Sequence, residues 1–361
     1  MHVLQFAKRA VLAVAAGAVL TGCSSSAGPT PFNPAGATAD MEAANAAFNS
    51  AAFASFSSQS ILFDAALGGA PLVSTSAAAL DTRAGGSTGL HAAAARSGEL
   101  LARMIPRAPN QNFSASSAAI QAAYLGKTFV YSGGVYVVSD LSGAPSNGVR
   151  FLLYAVDPIT FQIAEPLNQT GYVDLTDLSA GATSAARVVV VSGGTTYLNY
   201  TVSASSSLTS GRVTVQGFVT DGTTQANFNL RATLNFDAGL TLTYALDVPQ
   251  RDLSIDLTLT ASDLTATGTI GVDLALRGGN GWVSLSGQMT ADGGTLTVRV
   301  NGDVYATITT TVSGPPVING ASGQPLAPEE YETLQHVFDF TDGSFTAFDE
   351  LMAPAGTLIG G

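Results

Sequence analysis

Charge is what this sequence has least of. Of its 361 residues only 11% are Asp, Glu, Lys or Arg, against about 25% in an ordinary soluble domain. The few charges are also unbalanced, with 14 Lys and Arg facing 26 Asp and Glu for a formal net charge of −12. A basic footprint able to neutralise phosphates is missing, which excludes nucleic acid as a partner. One Cys rules out an intrachain disulfide, and three His leave little from which to build a metal shell. What the chain does hold is apolar side chain, at 46%, more than a disordered segment carries.

The longest uninterrupted apolar run is short and lies at the amino terminus. Residues 1–22 place Lys8 and Arg9 ahead of an apolar stretch from Ala10 to Leu20, which is the order of a secretion leader and too short for a spanning helix. The stretch ends in Leu20-Thr21-Gly22-Cys23, where the chain's one Cys stands. This segment resembles the lipobox of bacterial lipoprotein precursors. The resemblance covers about 25 residues and implies cleavage before Cys23, diacylglyceryl attachment to its sulfur and acylation of the new amine. Two or three acyl chains anchor firmly, because each buried methylene contributes about 0.8 kcal/mol. Position 24 is Ser, not the Asp of the inner-membrane retention signal, so the expected address is the outer membrane. Losing Lys8 and Arg9 takes the formal charge from −12 to −14. Anionic lipid repels such a body, which leaves the acyl chains to hold it. The following residues to Gly36 are rich in Ser, Pro and Gly and read as a solvated tether.

From Thr38 to about Leu67 the composition turns to Ala punctuated by large apolar residues. Met41, Phe48, Ala52 and Phe56 share a face at helical spacing, with Thr38 or Asp40 as the expected cap. Residues 68–89 read as a Gly/Ala/Ser/Thr loop, and a second short helix is expected from about His91 to Met104, ahead of Pro106.

Beyond Lys127 the period changes to two. Two β-branched and aromatic runs flank Ser132-Gly133-Gly134, the mark of a hairpin, and another strand over Gly148–Val156 ends at Asp157-Pro158. From Arg187 to Val312 the alternation is nearly unbroken. Phe228, Leu230, Ala232, Leu234 and Phe236 fall on one face, opposite Asn227, Asn229, Arg231, Thr233 and Asn235. Leu240 to Val248 and Leu253 to Leu259 alternate in the same way, and further strands are expected over Leu264–Leu276, Val283–Met289, Leu296–Val300 and Val304–Val312. Turn residues separate them at Asp221-Gly222, Asp237-Ala238-Gly239, Gly278-Gly279-Asn280, Asp292-Gly293-Gly294 and Asn301-Gly302. Connections this short join antiparallel neighbours, so roughly a dozen strands form one meander sheet, which at that size curls or closes. No helical pattern interrupts the region, which excludes parallel βαβ architecture.

A carboxy-terminal amphipathic helix is expected over Pro328–Met352, its stripe of Tyr331, Leu334, Phe338, Phe345, Phe348 and Met352 packed on the apolar face of the sheet. The expected fold is thus mainly β, a large antiparallel up-and-down sheet, curled or barrel-like, with Ala-rich amino-terminal helices and this last helix on it. The chain divides into a leader over 1–22, the lipidated Cys23 and tether over 23–36, an Ala-rich helical and loop region over 37–126, a sheet body over 127–315 and a helical segment over 316–361. A membrane-spanning barrel is set aside, because the chain has one Trp and no aromatic girdles.

Chemical motifs are few and lack their structural contexts. Gly85-Gly86-Ser87-Thr88-Gly89 matches a nucleophile elbow by letter, yet no strand precedes it. Gly126-Lys127-Thr128 has the ending of a phosphate loop but leads into a strand. His336 has Glu332 and Asp339 within a turn, the pattern of a surface ion pair. Asp247, Asp256 and Asp273 face outward from three different strands, where carboxylates solubilise a Thr/Ser face. No catalytic residue, metal ligand or cofactor follows from the sequence. Two non-enzymatic functions stand side by side. In one, a curled sheet holds a lipid or other hydrophobic ligand, with Gly217, Ala226, Ala232, Ala266, Gly268 and Gly287 leaving room inside. In the other, a structural lipoprotein recruits a protein partner at the membrane or cell surface, and those same small residues let the Ala-rich helix dock closely. A hydrolase is the third reading.

Overall fold

The computed structural model describes residues 33–67 and 120–323 apart from 158, 161, 236, 263–268, 280, 291 and 312–313, together with 326 and 334. Two helices open this part, α1 (Pro34–Phe48) and α2 (Ala51–Ala66). The expected single helical stretch is broken at Asn49-Ser50, because Ser50 turns extended and its side chain accepts the Phe53 N–H at 3.2 Å, starting a new helix. The helix also begins earlier than Thr38 or Asp40 would set it. Asn33 Oδ1 accepts the Gly36 N–H at 3.1 Å, and Pro34 occupies the first helical position, where no intrahelical N–H partner is required.

Fifteen strands follow: β1 (Lys127–Ser132), β2 (Val135–Ser139), β3 (Gly148–Tyr154), β4 (Gln169–Asp177), β5 (Thr183–Ser192), β6 (Thr195–Ser206), β7 (Ser210–Thr220), β8 (Gln225–Asn235), β9 (Gly239–Val248), β10 (Leu253–Ala261), β11 (Ile270–Gly278), β12 (Gly281–Thr290), β13 (Gly293–Val300), β14 (Asp303–Thr311) and β15 (Gly314–Gly320). They form one sheet, and from β3 to β15 each strand pairs with the next in antiparallel register. Tight turns make this possible. Gly133 and Gly134 take φ of 60° and 91° between β1 and β2, and Asn301-Gly302 take 49° and 94° between β13 and β14, the sign that the right-handed strand twist requires of a two-residue hairpin.

The meander is not antiparallel throughout. The order at one end is β3-β1-β2, with β1 and β3 parallel, Lys127 opposite Val149 and Phe129 opposite Phe151. The link over 140–147 leaves β2 beside the start of β1 and rounds that end to reach the far side. Nor does the sheet close into a barrel, since β15 and β2 remain its two edges. Closure would need β15 to offer a continuous ladder, and two of its seven residues, Pro315 and Pro316, have no N–H. The register to β14 is itself irregular between Thr309 and Thr311. β11 starts at Ile270, and the Leu264 to Gly268 part of its expected span lies outside the described residues. β15 extends the sheet to Gly320, beyond the expected boundary at 315. Of the expected carboxy-terminal helix only Leu334 is described, helical and buried with the core. The remainder of that helix, and the helix from about His91 to Met104, lie outside the described residues.

One face of the sheet is the core. Phe228, Leu230, Ala232 and Leu234 on β8 are buried, as are Leu240, Leu242, Tyr244, Leu246 and Val248 on β9 and Leu253, Ile255, Leu257 and Leu259 on β10. The residues between them on β8 and β9 face outward. Burial of one such aliphatic side chain contributes about 1.5–3 kcal/mol, which fixes the register of every strand. α2 packs on β2 through β6 and α1 on β7 and β8. Their buried faces are Met41, Ala44, Ala47 and Phe48 on α1, and Phe53, Phe56, Gln59, Ser60 and Phe63 on α2. Among the described residues no helix is long and apolar enough to cross a membrane.

Candidate functional site

The densest side-chain chemistry lies where α2 meets β1, β2 and β3. Phe151 points inward from β3, with Phe63 stacked on it at 4.2 Å between ring centroids, Phe129 at 4.6 Å, and Tyr136 edge-on at 5.2 Å. Beside these rings Gln59 is completely buried. Its Nε2 donates to the Tyr154 carbonyl at 2.7 Å while its Oε1 accepts the Tyr154 N–H at 3.1 Å. The amide thus stands where a neighbouring strand would pair with the end of β3. The Tyr136 hydroxyl lies 2.7 Å from that Oε1 and 2.6 Å from the Leu152 carbonyl, two acceptors for one proton. Burial, aided by Tyr154 and Tyr131 nearby, pushes the Tyr136 pKa far up, so the phenol stays a donor. Tyr200 on β6 is fully buried and shifted up for the same reason.

A second polar group faces out from β3. Arg150 grips Asp174 on β4 through both oxygens, at 2.7 and 2.8 Å, and its guanidinium lies 3.7 Å above the Tyr172 ring. The hydrogen bonds to Asp174 push the Arg150 pKa up further. This bidentate cross-strand clamp is a structural device, since both Asp174 oxygens and the Nε and Nη2 donors are spent within the sheet. In the loop after β3, Asp157 Oδ1 accepts the Ile159 and Thr160 N–H groups, the turn expected at Asp157-Pro158, and those bonds hold its carboxyl below the usual range.

The outward carboxylates occupy adjacent strands without converging. In the register Asp256 on β10 stands opposite Ala245 and Ala275, so Asp247 on β9 and Asp273 on β11 are its diagonal neighbours, about 7–8 Å away in a sheet of this kind. Arg277 on β11 pairs with Asp256. Among the described residues no group of three His, Cys, Asp or Glu is placed to hold a metal ion. Gly126 turns with φ of 75° and passes straight into β1, so Gly126-Lys127-Thr128 opens no helix on which a phosphate could rest. Cys23, the Gly85 to Gly89 motif, His91 and His336 with its acidic neighbours lie outside the described residues.

The small inward residues are largely spoken for. Gly217 lies between Tyr200 on β6 and Phe228 on β8, whose rings approach to 6.3 Å above it. A Cβ there would collide with the Asn199 carbonyl and lie 2.5 Å from Tyr200 Cα. Gly287 is covered by Leu296, whose Cδ2 would be 3.0 Å from an added Cβ. Ala226 and Ala232 are fully buried on β8, one of the two strands that receive α1 with its own fully buried Ala44 and Ala47. Ala266 and Gly268 lie outside the described residues. We expect Gly217→Val to cost about 1–3 kcal/mol in urea unfolding, the range for overpacking a filled core; an unchanged midpoint would mean that the space above Gly217 is open.

Sequence reasoning missed the Gln59 knot, although the signal was there: one amide on the helical stripe that carries Phe53, Phe56 and Phe63. The β1–β2 hairpin, by contrast, was expected from the two runs flanking Ser132-Gly133-Gly134. Comparison of the chain with protein-family models, curated proteins and solved structures finds no match.

Proposed function

We propose that this chain is a lipid-anchored protein of the bacterial cell envelope, held at the outer membrane through Cys23, that recruits a protein partner on its sheet and performs no catalysis. The anchor rests on the leader and lipobox at residues 1–23. The recruiting role rests chiefly on one observation. From β2 to β8 the apolar face is occupied by the chain's own helices, with Ala44, Ala47, Phe56 and Phe63 at 0% exposure, which leaves the outward face and the edges for partners. That face is mostly hydroxyl and amide, as in Asn227, Asn229, Thr241, Thr243, Thr258 and Thr260, a surface suited to direct hydrogen bonds. A hydrophobic ligand within the sheet is the second reading. Its support is the aliphatic inner face of β9 to β14, Leu242, Leu257, Leu274, Leu285, Leu296 and Ile308, beyond the strands on which α1 and α2 mainly pack.

Metabolic labelling with a palmitate analogue tests the anchor. Label should enter the wild-type protein and be lost in Cys23→Ser, which also keeps its 22-residue leader; labelling that survives the substitution overturns the assignment.

A further inference from the structure

An open sheet has two edges, and among the described residues this one protects only one of them. Natural edges are blunted by proline, charge or bulges, because unpaired N–H and C=O groups template another strand. β15 carries Pro315 and Pro316 beside an irregular register. β2 has no proline, no charge and no bulge, and its side chains Val135, Val137 and Val138 are 53%, 41% and 47% exposed.

The polar groups along that edge follow from the hairpin. A two-residue turn at Gly133-Gly134 makes Ser132 and Val135 a hydrogen-bonded pair, and alternation gives the same to Val130 with Val137 and Thr128 with Ser139. Tyr136 and Val138 therefore aim their N–H and C=O groups away from β1. An antiparallel second strand centred on Val137 sets Tyr136 opposite Val138 and Val138 opposite Tyr136, satisfying all four groups with four hydrogen bonds. That register is its own two-fold image. It places Val137 against Val137, Val135 against Ser139, and Asp140 against the Gly134 turn, with no like charges opposed. In a chain of net charge −12, this strip brings no charge of its own against the second copy.

The geometry points to a second copy of this chain as the occupant of the β2 edge, the two β2 strands joining about a two-fold axis at Val137 into one continuous sheet. A five-residue pairing buries less than the roughly 1,200 Å² of a stable interface, so the dimer is weak in dilute solution. The inference does not require the proposed anchor, although copies tethered to one membrane meet at higher effective concentration.

The test is oxidative cross-linking of the full-length protein in intact cells. In this register the Val137 pair is non-hydrogen-bonded, with Cα atoms about 4.5 Å apart, within disulfide reach. Val137→Cys should give at least tenfold more covalent dimer than Val304→Cys, a control on β14 of similar exposure. Val135→Cys, which faces Ser139 of the other copy, should stay near the control. Adding Val138→Pro to Val137→Cys removes an outward N–H without breaking a hydrogen bond to β1, in an edge strand that tolerates proline, and should return the dimer to the control level without shifting thermal unfolding. Dimer from Val137→Cys no greater than from Val304→Cys, or Val135→Cys cross-linking equally well, overturns the proposal. Palmitate label reads the anchor separately, so loss of the dimer with label retained fails this inference alone.

Discussion

Phe151→Ala lowers the unfolding free energy by about 3–5 kcal/mol, the range for deleting a buried aromatic ring. The upper half of that range is expected here for a geometric reason. Phe151 is at 0% exposure and its ring touches three elements at once, α2 through Phe63, β1 through Phe129 and β2 through Tyr136. The strand that carries it is paired on both sides, to β1 and to β4, so its backbone cannot move in to fill the hole. Phe151→Leu retains most of the volume and should cost less than about 1.5 kcal/mol. Equilibrium urea unfolding reads both, and an Ala variant within about 1 kcal/mol of wild type would show that α2 does not rest on these rings.

Gln59→Leu should cost nearly as much for a different reason. The apolar volume is kept, but the Tyr154 N–H and C=O lose their partner inside the protein, and each orphaned buried group costs about 1–3 kcal/mol. Tyr136→Phe is the informative contrast. It removes the proton shared between Gln59 Oε1 and the Leu152 carbonyl but leaves both Tyr154 bonds intact, so about 1 kcal/mol is expected. Equal losses in the two variants would mean that the phenol, not the strand-like pairing of the amide, holds α2 on β3. The same site sets an alkaline limit. The folded-state pKa of Tyr136 is raised above the ordinary 10.0, so the unfolded chain releases the proton first. Stability is full below pH 10 and declines as pH rises above it. Tyr200, raised by complete burial, adds to the same decline.

The sheet was legible because its chemistry is local. Period-two alternation over β8, β9 and β10 states which side chains face the core, and Asn301-Gly302 or Asp221-Gly222 states where the chain reverses. What escaped is long-range or depends on a single residue. The parallel pairing of β1 with β3 is decided by where the 140–147 link travels, which no periodicity records. Most of β15 fell in the segment expected to be helical from 316 on, yet Val317, Ile318 and Asn319 pair with β14. The start of α1 was misplaced because several polar residues compete for the cap, and the choice of Asn33 follows from Pro34 beside it. Of the candidate sites, Asp247, Asp256 and Asp273 are adjacent only through strand order, and Asp256 is paired within the face by Arg277.

The central claim is that the chain covers the inner face of β2 to β8 with its own α1 and α2 and keeps its outer surfaces for partners. Native mass spectrometry of the unlipidated body, residues 24–361, tests it most directly. The expected spectrum shows the mass of the polypeptide alone, or of its dimer, under conditions gentle enough to retain a bound lipid. A stoichiometric adduct of lipid mass, released only on unfolding, would contradict the claim and make the inner face of the sheet a carrier site.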